Sequence, residues 1–202
     1  SNENKIVIID NKYYLKEYYD AECDIVKKLN QINNNKINIE NNLDKHLEKI
    51  ENDFEIKYNQ EQKNAIKSIF DSNIVIITGG PGTGKTTIIK GILELYKRVF
   101  KYSNDGMNMR VSLIAPTGRA SKRMSETTKY GASTIHRYLK WNKETNTFSM
   151  NEFNKTNEEL IIVDETSMID TVLFDSLLKA IRKNVKLVLV GDEHQLPSVS
   201  PG

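Results

Sequence analysis

The stretch IVIITGGPGTGKTT, residues 74–87, sets Gly79, Gly80, Gly82 and Gly84 between a run of branched apolar residues and a lysine followed by two threonines. Glycines let a loop curl until successive backbone N–H groups point at one spot. A helix that begins there adds the positive end of its dipole. Such a spot takes phosphate. In the spacing Gly79-x4-Gly84-Lys85-Thr86, the residues Gly80, Pro81, Gly82, Thr83, Gly84, Lys85, Thr86 and Thr87 would wrap a nucleoside triphosphate, with ATP the expected ligand. Lys85 is placed to meet the β- and γ-phosphates, and the Thr86 hydroxyl to coordinate Mg²⁺.

A second stretch, LIIVDETSM, residues 160–168, ends an apolar run in two adjacent carboxylates, Asp164 and Glu165. At the end of a strand, Asp164 suits the Mg²⁺ role and Glu165 suits a general base that orients or deprotonates water. A carboxylate base beside the metal ligand favours hydrolysis over phosphoryl transfer to a small molecule. The expected catalytic groups are therefore Lys85 and Glu165, with Thr86 and Asp164 as metal ligands.

These side chains need a frame. Apolar runs at 74–78, 111–115, 160–163 and 185–190 alternate with helical patterns at 86–100, 119–127 and 171–182. Continuous apolar strands separated by helices predict an α/β fold: a parallel sheet covered on both faces, with ligands bound beyond the carboxyl ends of its strands. Residues 141–159 are polar and predict a surface excursion.

Residues 1–55 read differently. A hairpin is expected around Asn11-Lys12. Ala21, Ile25, Leu29 and Ile32 then recur at helical spacing, as do Ile39, Leu43, Leu47, Ile50 and Phe54 beyond the break at Asn33-Asn34-Asn35. So few apolar positions imply a small, mostly helical segment that leans on a neighbour, either an appendage or the tail of an upstream domain. The expected division is 1–55 for this accessory segment and 56–202 for the nucleotide-binding unit.

Composition narrows the class. Lys and Arg number 29 against 27 Asp and Glu, a net charge of +2, which neither demands nor excludes nucleic acid. No apolar run approaches a membrane span, and the start lacks a secretory pattern. One cysteine, Cys23, fits a reducing cytoplasm. Ser1-Asn2 without an initiator methionine points to a piece of a longer chain.

Three more stretches refine the reading: YNQEQKNAIKSIF before the glycine loop, LIAPTGRASKRMSETTKYGASTIHRYL after the second apolar run, and LVGDEHQLPSV near the end. With the glycine loop and the acid pair, in this order over residues 58–202, they resemble the first RecA-like domain of superfamily 1 helicases. The resemblance is closest to the RecD-like helicases related to the exodeoxyribonuclease V alpha subunit.

The resemblance implies roles. Gln62 would read the adenine, since an amide both donates and accepts. Gln195 would link the γ-phosphate to the DNA surface and complete the catalytic set, while Asp192 and Glu193, in the same motif, carry no separate role. Thr117 and Gly118 would offer a hydroxyl and an N–H to single-stranded DNA, with Arg119 adding charge. Thr134 and His136 are further DNA candidates. Lys122, Arg123 and Arg137 could extend a basic track, though a charged helix face is the default. Tyr138 and Trp141 could stack on bases, with core packing expected for at least one.

The family further implies ATP-driven 5′ to 3′ movement on single-stranded DNA in repair or recombination, and a second RecA-like domain that closes the ATP cleft. That second domain is not within these residues, so the chain alone is expected to bind Mg-ATP with little turnover. Subunits of a nuclease complex are possible partners. The other readings are an ATPase of AAA+ type and a nucleotide-binding module that does not hydrolyse.

Overall fold

The computed structural model describes residues 5–34, 42–192 and 198–201. Its centre is a sheet of five parallel strands: β3 (Ile74–Thr78), β4 (Val111–Ala115), β5 (Ala132–Thr134), β8 (Leu160–Val163) and β9 (Lys186–Gly191), in the order β3-β9-β8-β4-β5. The registers Thr78↔Gly191, Val163↔Leu189, Ile114↔Val163 and Ala115↔Thr134 bring the carboxyl ends of the strands to one edge.

Burial follows from the alternation of side chains. Leu160, Ile162, Leu113, Val188 and Val190 face one core, while Ile161, Val163, Ile114 and Leu187 face the other. All of β8 is buried, as a central strand covered on both faces must be. The first core is closed by α3 (Gln60–Asp71), α4 (Lys85–Phe100), α5 (Asn104–Arg110) and α6 (Gly118–Thr128). The second is closed by α7 (Ile135–Tyr138) and α8 (Thr171–Ala180). β3 is an edge strand, and Ile76 on its open side is 69% exposed, where the apolar run predicts burial.

The N-terminal residues pack on this frame. β1 (Ile6–Ile9) and β2 (Lys12–Leu15) pair through a two-residue turn at Asp10-Asn11, both at positive φ. The turn lies one residue earlier than expected around Asn11-Lys12, because Asp and Asn tolerate the left-handed region that such a hairpin requires. From α1 (Lys16–Asn33), Ile32 enters the second core, and Lys179 of α8 bonds Asp24 at 2.8 Å and Asp175 at 2.6 Å. From α2 (Leu43–Asp53), Leu47 and Ile50 enter the first core. Asp53 there pairs with Arg98 of α4 at 2.6 Å. Ile39 lies outside the described residues.

The polar excursion is a short hairpin, β6 (Trp141–Asn142) with β7 (Thr147–Phe148), followed by an anchored return. Glu159 accepts from the Tyr102 hydroxyl at 2.8 Å, the Tyr96 hydroxyl at 3.2 Å and Arg110 Nε at 3.1 Å. Glu158 accepts from Ser112 and from Tyr138, each at 3.1 Å. These bonds fasten the start of β8 at the sheet edge opposite the glycine loop.

Candidate nucleotide and nucleic-acid site

The glycine loop joins β3 to α4, with Gly82 at φ 77° and Gly84 at φ 86°. These left-handed values favour glycine. Gly79 is needed for a different reason: a Cβ there would stand 2.7 Å from Thr83 Oγ1. That hydroxyl donates to Gly80 O at 2.9 Å and tightens the loop. Lys85 Nζ donates to the carbonyls of Gly79 and Gly80, the second at 2.9 Å, and lies 3.9 Å from Asp192 Oδ2. Asp192, given no separate role by the sequence, is 3% exposed at the end of β9. It therefore sets a buried negative charge behind the lysine, and nothing local in its motif announces that partner.

Asp164 and Glu165 follow β8 at the same edge. The Glu165 N–H donates to Asp164 Oδ1 at 2.9 Å, and Asp164 N donates to Ile114 O. Glu165 sits at φ 56°, in a left-handed conformation unusual for this residue, which costs about 1–3 kcal/mol and needs support from its surroundings. A 3-10 turn over Thr166–Met168 supplies it: Thr166 Oγ1 donates to Val190 O at 3.1 Å and ties the acid turn to β9. Burial pushes the Asp164 carboxyl above its ordinary range. The Glu165 backbone N–H opposes that shift, the Glu165 charge adds to it, and Lys85 and Arg123 oppose it.

Two hollows flank the loop. One, of about 300 Å³, is lined by Pro81 through Thr87 with Asp164, Glu165 and Arg123. The other, about 720 Å³, runs between α3 and β3 and is lined by Gln62, Ala65, Gly79, Thr83 and Lys85 among others. Gln62 is placed between its expected neighbours by a capping box: its N–H donates to Asn59 Oδ1 at 2.8 Å, and its Oε1 accepts from Asn59 N at 3.1 Å. The amide oxygen is thus committed, while Nε2 lies 2.7 Å from where a Cβ on Gly84 would stand.

The residue set suits a magnesium nucleotide. Among the described residues no group of three His, Cys, Asp or Glu could hold a metal without help. Mg²⁺ commonly takes one or two protein oxygens and completes its shell with phosphates and water. Thr86 and Asp164 line one pocket, with the side-chain oxygens of Thr83, Thr87 and Glu165 beside them.

The remaining candidates stand at the ends of the neighbouring strands β4 and β5. Thr117 caps α6 by accepting from Ala120 N at 3.2 Å, which presents Gly118 and Arg119 on the exposed first turn. Thr134 caps α7 by accepting from Arg137 N at 3.2 Å. His136 is exposed and packs beside Trp141 and Phe148, with centroids 6.1 and 5.7 Å away. Tyr138 instead turns inward to Glu158 and is half-buried. Arg123, read from sequence with a basic track, lines the smaller hollow beside the glycine loop. Gln195 and Glu193 lie outside the described residues.

A family described as the AAA domain matches residues 62–201. The ATP-dependent RecD2 DNA helicase of Deinococcus radiodurans is 37% identical over 143 residues, which cover 71% of this chain and 19% of that protein. The RecBCD enzyme subunit RecD of Buchnera aphidicola from Acyrthosiphon pisum is 34% identical over 217 residues, covering 98% of this chain and 34% of that one. The chain thus spans between about a fifth and a third of these curated relatives. Among solved structures, Pif1 helicase from Candida albicans aligns with a TM-score of 0.52 at 22% identity, over 71% of this chain and 34% of that one, which shows a shared fold. With a glycine loop, an acid pair and the strand order that joins them all inside the matched region, the chain belongs to the AAA domain family, as a RecD-like member.

Proposed function

We propose that the chain is part of an ATP-dependent DNA helicase and carries its first motor unit, over residues 56–202, braced by an accessory segment over 1–55. The observation that carries the reading is the common edge of the sheet. The glycine loop after β3, the acid pair after β8 and the exposed first turns of α6 and α7 after β4 and β5 stand side by side there. A nucleotide held at one end of that edge and a phosphodiester backbone at the other would be joined by strands that move as one body.

In this reading Gly80–Thr87 bind the triphosphate, Gln62 donates its free amide N–H groups to the adenine, and Thr86 and Asp164 hold Mg²⁺. The ion, when bound, neutralises charge on the phosphates. Lys85 holds the β/γ end, and Glu165 orients and deprotonates the attacking water. Thr117, Gly118, Arg119, Thr134 and His136 contact single-stranded DNA, and Gln195 couples the two sites. The whole protein's activity needs a second RecA-like domain, and nuclease-complex subunits are further partners of this class. No helix among the described residues is long and apolar enough to cross a membrane. The free Cys23 suits a cytoplasmic setting.

The test is strand displacement by the full-length protein on 5′- and 3′-tailed duplexes with ATP and Mg²⁺. ATP-dependent unwinding from the 5′ tail is expected. ATP hydrolysis without unwinding of either duplex would overturn the helicase assignment, and unwinding from the 3′ tail alone would overturn the direction.

A further inference from the structure

α6 brings an arginine to the phosphate hollow. Arg123 lines the same 300 Å³ space as Lys85, Thr86, Asp164 and Glu165, although α6 begins at the opposite end of the edge with the DNA candidates. Its guanidinium makes no hydrogen bond or ion pair with the described residues, whereas the adjacent Lys122 turns to Glu126 at 4.0 Å. It is also near enough for its charge to act on Asp164.

The other cation in the hollow is already engaged. Lys85 donates to two loop carbonyls and faces Asp192. A terminal phosphoryl group entering here meets two carboxylates, so charge balance calls for a second cation beyond the metal. A guanidinium presents a fork of donors that matches phosphate oxygens, and it stays charged at every relevant pH. In the proposed nucleotide reading the loop residues other than Lys85 serve the part of the nucleotide that ATP and ADP share, whereas Arg123 comes from the acid-pair side of the hollow.

We propose that Arg123 is a γ-phosphate contact supplied from within this domain, and that it makes the site favour the triphosphate over the diphosphate. The inference rests on the nucleotide reading above and removes Arg123 from the DNA track. The test is equilibrium titration of the 202-residue chain with fluorescent ATPγS and fluorescent ADP, each with Mg²⁺. For Arg123→Ala, ATPγS affinity should fall about tenfold or more, the scale of losing a hydrogen bond to a charged group, with ADP affinity within about twofold of wild type. Arg123→Lys, which keeps the charge and loses the fork, should fall between. Because Arg123 is exposed, unchanged circular dichroism is expected and checks the fold. Equal loss for both nucleotides, or no loss for either, would overturn the γ-phosphate contact. Failure of the wild-type chain to bind either nucleotide would instead overturn the nucleotide reading, and this inference with it.

Discussion

Gly191 is the residue on which the acid turn depends most directly. It ends β9, beside Val190, whose carbonyl accepts from Thr166 Oγ1 at 3.1 Å. A Cβ on Gly191 would stand 2.5 Å from that same Oγ1. Thr166 is β-branched and stiff at χ1, so the hydroxyl cannot withdraw without leaving its rotamer well or breaking its bond. Overpacking of this kind costs about 1–3 kcal/mol, and the lost hydrogen bond about 1 kcal/mol. Against that, Gly191 is not at positive φ, so its backbone conformation is open to alanine, which stiffens the unfolded chain by about 0.4–1 kcal/mol. The net expectation for Gly191→Ala is about 2 kcal/mol of lost stability, read from urea unfolding. The displaced turn carries Glu165, so turnover by the full-length protein should fall as well.

A double-mutant cycle isolates the cause. Thr166→Ala removes the offending oxygen and should itself cost about 1 kcal/mol. Adding Gly191→Ala to it should then cost little or nothing, giving a coupling of about 2 kcal/mol. Strict additivity of the two changes, or a Gly191→Ala protein as stable as wild type, would refute the close approach as the reason for glycine at this position.

Further outcomes follow from the site and its supports. Lys85→Ala should abolish detectable binding of fluorescent ATP by the chain, because it removes the charge that faces the β/γ-phosphates; binding at wild-type affinity would remove Lys85 from the site. Glu165→Gln in the full-length protein should keep nucleotide binding and lose steady-state phosphate release, whereas normal turnover would show that Glu165 is not the base. The hydrogen bond from Lys179 holds the Asp24 carboxyl below its usual 3.8. A depressed carboxylate stabilises the fold above its unfolded value and loses that contribution as pH falls through the folded one. Asp24→Asn should therefore speed hydrogen exchange in α1 at neutral pH. The difference from wild type should shrink as the medium is acidified below 3.8 and vanish below the folded value, and a difference that persists there would discard the ion pair as its source.

The strands at 74–78, 111–115 and 160–163 were legible to the residue, because a parallel sheet buried on both faces demands continuous branched apolar runs and the turns around them are polar. The glycine loop and the acid pair were legible for a related reason. Both are local devices whose spacing and chemistry lie within one short stretch of chain. β5 was not legible: its pattern AST becomes a strand only because β4 offers it a free edge. α7 is a single turn, too short to show a helical period.

What local pattern leaves open is which distant groups meet. The order β3-β9-β8-β4-β5 sets the loop after β3 and the acid pair after β8 on either side of β9, and only that order places buried Asp192 behind Lys85. Packing, too, turns Arg123 from an ordinary charge on a helix face into a lining of the hollow between the glycine loop and the acid pair, and commits the Gln62 amide oxygen to the cap of its own helix. Side-chain type and spacing specify a chemistry wherever its parts are neighbours in sequence. Where the parts are tens of residues apart, their encounter is set by strand pairing and core burial, which depend on the whole chain at once.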